Sequence, residues 1–193
     1  MECLGDGGEG SLSFCTAQLQ QPAAEDYGFI HYSRLIFPAS DKNFVRLREQ
    51  SGHDDTLTLS GNGQKVHIVA RRIHPKLSDF SGISKDKYTA RLYQGKPFYG
   101  MDSMISKSVF ALERITLNDQ AVPAAELQGL FSPDFASTAR GSNVYQGWEA
   151  YYRSSDKTLY LFGRQGSDGA PFDVCFIFKD GKFQRRYLWS AAI

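Results

Sequence analysis

Cysteine is scarce in this chain, with 3 in 193 residues, too few for a disulfide-dense scaffold. Long apolar stretches are missing as well. The longest clear run, Val174 to Phe178, is far short of the ~20 residues that a membrane-spanning helix needs. Charge of one sign is also absent: 22 Lys plus Arg stand against 21 Asp plus Glu, a formal net charge of +1. That leaves no basic footprint of the kind that marks nucleic-acid binders, so no nucleic-acid partner and no membrane span are expected. The balance holds along the chain, because residues 1–100 carry 12 basic and 11 acidic groups and residues 101–193 carry 10 and 10. What is present is a hydrophobic content of 41% with 13% aromatics, which excludes a disordered tail or a collagen-like fibre. A chain of this length buries roughly 70% of the surface that it exposes when unfolded, enough for a core without staples.

The organisation expected is a flexible Gly-rich N-terminal segment over residues 1–20 and a single β-rich domain over residues 21–193. The first ten residues contain neither a charged n-region nor an apolar h-region, so they do not read as a signal peptide. Two origins fit: a cytoplasmic chain starting at Met1, or a mature periplasmic or secreted segment whose leader lies outside the sequence. Cys3 and Cys15 favour the second if they pair. They lie 12 positions apart across a Gly-rich turn, and a disulfide closing so short a loop contributes on the order of 2–3 kcal/mol. Cys175 falls inside an apolar run and reads as a small core filler.

The dominant pattern is β. Residues 172–178 alternate, Asp180-Gly181 suits a type I′ turn, and Lys182 to Trp189 returns as the partner strand. Regular pairing from that turn sets Phe176 against Arg185 and Val174 against Tyr187, making one aromatic face that contains a single Arg. A second hairpin centres on Asn62-Gly63, with Leu57 and Leu59 opposite Ile68 and Val66. Further strands are expected at Tyr27–Phe37, Tyr88–Tyr93, Val109–Leu117, Trp148–Tyr152 and Thr158–Phe162. Ser40 reads as the cap of a helix over Asp41–Gln50, where a strand is nearly as compatible, and residues 123–128 as a short helix opened by Pro123. No internal repeat is apparent. The fold class is mainly β: an antiparallel sandwich or partly open barrel with one or two short helices.

Most catalytic signatures fail on context. Gly5 to Gly10 spells G-x-G-x-x-G, but no strand precedes it and no βαβ unit follows. No phosphate-binding G-x-x-x-x-G-K-[ST] loop and no G-x-S-x-G elbow occur. The four His, at 31, 53, 67 and 74, lack the close spacing by which one element ligates a metal. An enzyme reading would rest on His67 or His31 with Asp168 or Asp102, and Asp54-Asp55 reads more simply as a solvated turn. No cofactor or metal is expected.

Three features suit binding instead. Tyr93, Phe98 and Tyr99 flank a Gly95-Lys96-Pro97 loop, Trp148 belongs to a second aromatic cluster, and Arg164 with Asp168 lies in the Gly-rich loop 163–169. Arg185 on the aromatic face needs an anionic partner, from the protein or from a ligand. The leading reading is a non-enzymatic protein-binding module, of the kind represented by a bacterial immunity or inhibitor protein, that neutralises another protein or associates with itself. A small-molecule or lipid-binding β domain is the alternative, and a hydrolase with an unrecognised site the third.

Overall fold

The computed structural model describes residues 3–4, 35–36, 38, 41–53, 55–85, 90–101, 108–135, 147–166 and 172–190; for residues 3, 4, 35, 36, 165, 189 and 190 only the backbone is described. Two short strands, β1 (Cys3–Leu4) and β2 (Leu35–Ile36), pair in parallel. The side chain of Cys3 and all of Cys15 lie outside the description, as do the boundary at residue 20 and the strand expected before Leu35.

The body is a sandwich of two five-stranded antiparallel sheets. The first runs in the order β10 (Gln120–Ala121), β9 (Val109–Leu117), β6 (Gln64–Ile73), β5 (Thr56–Gly61), β4 (Arg48–His53). The second runs β14 (Lys182–Ser190), β13 (Phe172–Lys179), β12 (Thr158–Gln165), β11 (Trp148–Arg153), β3 (Phe44–Arg46). The segment expected as a helix over 41–50 is instead the strand that changes sheets. Its apolar residues do not hold a helical period: Phe44 joins β11 of the second sheet, Leu47 turns the corner with its N–H on the Ala150 carbonyl, and Arg48 onward joins β5 of the first. Among the described residues helix is confined to a 3₁₀ turn at Leu77–Asp79 and α1 (Ala124–Leu127), which starts one residue after Pro123. A two-stranded ribbon, β7 (Phe80–Ser81) with β8 (Leu92–Tyr93), completes the set.

Period-2 alternation decides what lies between the sheets. Leu57 and Leu59 pair with Ile68 and Val66 as expected, and these join Ile115, Leu159, Leu161, Val174 and Phe176 in one continuous core. Several of its members are completely shielded from solvent, a level of closure that fits native packing density rather than an internal cavity. One interior strand of each sheet, β5 and β12, carries a similar run, Thr56-Leu-Thr-Leu-Ser-Gly61 and Thr158-Leu-Tyr-Leu-Phe-Gly163. Both leucines point inward in each sheet, and each glycine lies beside a neighbour: Leu47 for Gly61, the Trp148 ring for Gly163.

The C-terminal hairpin turns at Asp180 and Gly181, with φ of 51° and 75°, as a type I′ turn requires. Its register departs from regular pairing. Phe178 sits opposite Phe183, but Ile177 sits opposite Arg185, so Gln184 is an extra residue in a β-bulge. From there the side chains of Arg185 to Leu188 change face relative to regular pairing. Arg186, opposite Phe176, and Leu188, opposite Val174, lie on the core side, whereas Arg185 and Tyr187 lie on the outside.

Candidate functional site

The residues singled out by sequence do not converge. Tyr93 and Phe98 are half-buried in an edge-to-face cluster with Phe80 and Phe131, at ring separations of 5.1 to 6.1 Å. They anchor their own loop more than they present it. Burial, and after it the charge of Asp79, raises the Tyr93 phenol above its ordinary range. Tyr99 leans on Phe172 at 4.5 Å. Trp148 is 3% exposed in the core, beside Phe135 and Phe176. Arg164 pairs with Asp173 at 3.1 Å, and Asp168 lies outside the described residues.

The bulge corrects the position of the buried arginine. Arg185 is exposed, donating to the Tyr187 hydroxyl at 3.1 Å. The buried cation is Arg186, with a side chain 11% exposed. Its Nε lies 3.7 Å from Glu126 Oε2, and its Nη1 donates to the Glu126 backbone carbonyl. Burial lowers the Arg186 pKa, an effect that Glu126 opposes. The anionic partner that the aromatic face demanded is therefore supplied by α1 of the same chain.

The outer face of the second sheet is aromatic and closed. Phe44, Tyr151, Tyr160, Cys175 and Ile177 form a second cluster there, each no more than 8% exposed. Around it stand arginine–carboxylate pairs: Arg46–Glu149 at 2.8 Å, Arg153–Asp156 at 2.7 Å, and Arg164–Asp173. Arg46, Arg153, Tyr160 and Arg164 each make a further interaction beyond these. The Tyr151 hydroxyl donates to Glu149, and burial together with that carboxylate pushes its pKa far up. Burial likewise raises the Cys175 thiol, which leaves it an inert filler rather than a nucleophile.

The outer face of the first sheet is polar, though its Thr58 is only 9% exposed. Thr58 hydrogen-bonds His67 Nδ1 at 3.0 Å across the β5–β6 pair. Near the end of the sheet a bulge leaves Glu113 without a cross-strand partner, between Leu112 opposite Ala70 and Arg114 opposite Val69. An open depression of about 790 Å³ lies on one side of Glu113, lined among others by His53, Asp55, Arg71, Arg72 and Phe110. A second, of about 570 Å³, lies on the other side, between Arg114 and Pro123. On the other face of the same strands, two residues beyond Ala70 and Leu112, the Arg72 guanidinium lies over the Phe110 ring at 4.8 Å. Arg71 reaches Glu113 only at 3.8 Å, with both side chains at least half exposed.

Of these residues the sequence drew attention only to His53 and Asp55, and set both aside as loop or turn positions. Arg71-Arg72 ends β6, and Phe110 and Glu113 belong to β9, some forty positions away; only a pairing with an unforeseeable bulge unites them. Among the described residues no three His, Cys, Asp or Glu side chains gather as metal ligands. Comparison of the chain with protein-family models, curated proteins and solved structures returned no match.

Proposed function

We propose that this chain is a non-enzymatic protein-binding module that meets its partner at the open end of the first sheet, where β6 and β9 run past the β4–β5 hairpin. The observation that carries the reading is the groove around Glu113, where Arg72 lies over Phe110. An arginine held against an aromatic ring has little side-chain entropy left to lose on binding, and arginine is among the residues that dominate interface energetics. The opposite face is already closed, which leaves the first sheet, with its fully exposed edge strand β4, as the broad surface available for docking. Neutralisation of a partner, as by an immunity- or inhibitor-type protein, is the form of binding proposed, in a periplasmic or extracellular setting if Cys3 and Cys15 are bonded.

The test is affinity capture from the source organism with the parent chain and with Phe110→Ala/Arg72→Ala. A stoichiometric protein retained by the parent and lost by the variant supports the reading. A partner retained equally by both, or a small molecule carried through purification in place of a protein, overturns it.

A further inference from the structure

The long strands that border the two sheets do not offer an even edge. β4 is interrupted at Gln50, where its register on β5 shifts between Glu49 and Ser51. β14 is interrupted at Gln184 and points the charge of Arg186 inward. Bulges and inward charges are devices by which proteins keep a strand edge from pairing with another chain. An uninterrupted edge exists instead inside the first sheet. β6 pairs with β9 as far as Ile73, whereas its pairing with β5 ends at Val69, opposite Thr56. One bond follows, from the Ala70 N–H to the Asp55 carbonyl at 2.7 Å. Backbone groups alternate sides along a strand, so Arg71 and Ile73 turn theirs to β9, and Arg72 turns its N–H and C=O to the side that β5 has left. The neighbouring strand agrees: the Phe110 carbonyl, opposite Arg72, accepts from the Ser132 N–H on its far side. Among the described residues no backbone group meets Arg72 on the open side. The depression of about 790 Å³ lies there, lined by Gly52, His53 and Asp55 at the end of the β4–β5 hairpin and by the exposed Arg71 and Arg72.

We infer that the partner protein adds an extended segment to this edge as a further strand in line with β5, bonded to the N–H and C=O of Arg72 and carrying a carboxylate opposite that residue. The inference rests on the protein-binding reading and gives the mode by which the partner is held. Backbone pairing selects an extended conformation, and the side chains on the two faces select the sequence. The partner residue opposite Arg72 shares its face, where the guanidinium lies over Phe110 and, among the described residues, has no carboxylate at ion-pair distance. Opposite charges facing each other across a strand pair stabilise it, and like charges do the reverse. A second copy of this chain therefore fits poorly, because antiparallel self-pairing centred on Arg72 sets two arginines face to face.

The experiment uses the full chain and a fluorescein-labelled peptide of alternating Thr and Glu, read by fluorescence anisotropy. Two substitutions at one position separate the backbone from the charge. Arg72→Thr removes the guanidinium and keeps the N–H; Arg72→Pro removes both, at no cost in bonds to β9, toward which that N–H does not point. Arg72→Thr is expected to weaken binding about threefold, and Arg72→Pro about tenfold or more. Methylating the backbone nitrogens of the peptide's Glu residues, which face β6, abolishes binding to the parent chain, whereas methylating those of its Thr residues leaves it intact. In the free chain the Arg72 amide exchanges faster with solvent than those of Arg71 and Ile73, and the peptide slows it. Far-UV circular dichroism checks the folding of each variant, and the methylated peptides decide the matter on the parent chain should Arg72→Pro not fold. Equal affinity of the Thr and Pro variants, equal binding of the two methylated peptides, or no binding up to about 1 mM overturns the inference. If any of these occurs while capture of a protein still depends on Phe110 and Arg72, strand addition is overturned and the docking site stands.

Discussion

The two sheets share an interior and differ in everything they show outward. In β5 and β12 the same Thr-Leu-x-Leu-x-Gly run aims its leucines into the common core. The intervening residues part company: Thr58 and Ser60 in the first sheet, Tyr160 and Phe162 in the second. The difference teaches where constraint ends. Inward positions must fit one shared volume, whereas outward positions answer to whatever each face meets, water in one case and a closed aromatic layer in the other.

Truncating matched outward residues is the most forceful way to break that contrast. Tyr160 and Thr58 occupy equivalent central positions on opposite exteriors, at 1% and 9% exposure. Tyr160→Ala is expected to cost about 3 kcal/mol in urea denaturation, as a buried aromatic does. Thr58→Ala, which removes one hydrogen bond to His67, costs about 1 kcal/mol. Equal costs would mean that the second exterior is not a second core.

The next test addresses the bulge at Gln184. Arg186→Met strips the cation from Glu126 inside the sandwich and is expected to lower stability by about 1–2 kcal/mol, the loss being softened by the apolar replacement and the partial exposure of Glu126. Arg185→Met, one residue away but exposed, stays within about 0.5 kcal/mol of the parent. Reversal of that order would restore regular pairing and return Arg185 to the core.

Similar in size is the difference between the two glycines. A Cβ at Gly163 would lie 2.5 Å from the Trp148 indole, whereas at Gly61 its nearest neighbour is Leu47 Cα at 3.4 Å. Gly163→Ala therefore costs about 1–3 kcal/mol through forced displacement of the ring. Gly61→Ala costs less than about 1 kcal/mol, its contact being close to ordinary. Melting temperatures of the two variants, measured side by side, check this.

Much of this architecture is legible without coordinates. Leu57, Leu59, Val66 and Ile68 declare their hairpin because Asn62-Gly63 fixes the turn and alternation fixes the faces. Phe172 to Lys179 and the Asp180-Gly181 turn are equally plain. What sequence conceals is the single inserted residue. One bulge at Gln184 exchanges Arg185 for Arg186 in the core, and another leaves Glu113 without a cross-strand partner in β9. A bulge is a backbone event settled by packing on both sides of a strand, and the local pattern of apolar and polar residues is compatible with either register. The strand at 44–53 was obscured for a related reason: a segment that changes sheets at Leu47 reverses its alternation midway and can pass for a helix.

The smallest effect expected is also the one with a defined pH window. Arg153 grips Asp156 with two hydrogen bonds, at 2.9 and 2.7 Å, and these hold the Asp156 carboxyl down to about 2 from an ordinary 3.8. The folded value lies below the unfolded one, so the stabilisation is fully present above about pH 4 and is lost as pH falls toward 2. Because Asp156 is 35% exposed, water screens the pair and its contribution is about 1 kcal/mol or less. Asp156→Asn should flatten the acid limb of stability between pH 4 and 2 by that amount. An acid limb unchanged in that variant would mean that the grip of Arg153 holds the β11–β12 turn no tighter than water does, and that the aromatic layer alone closes the outer face of the second sheet.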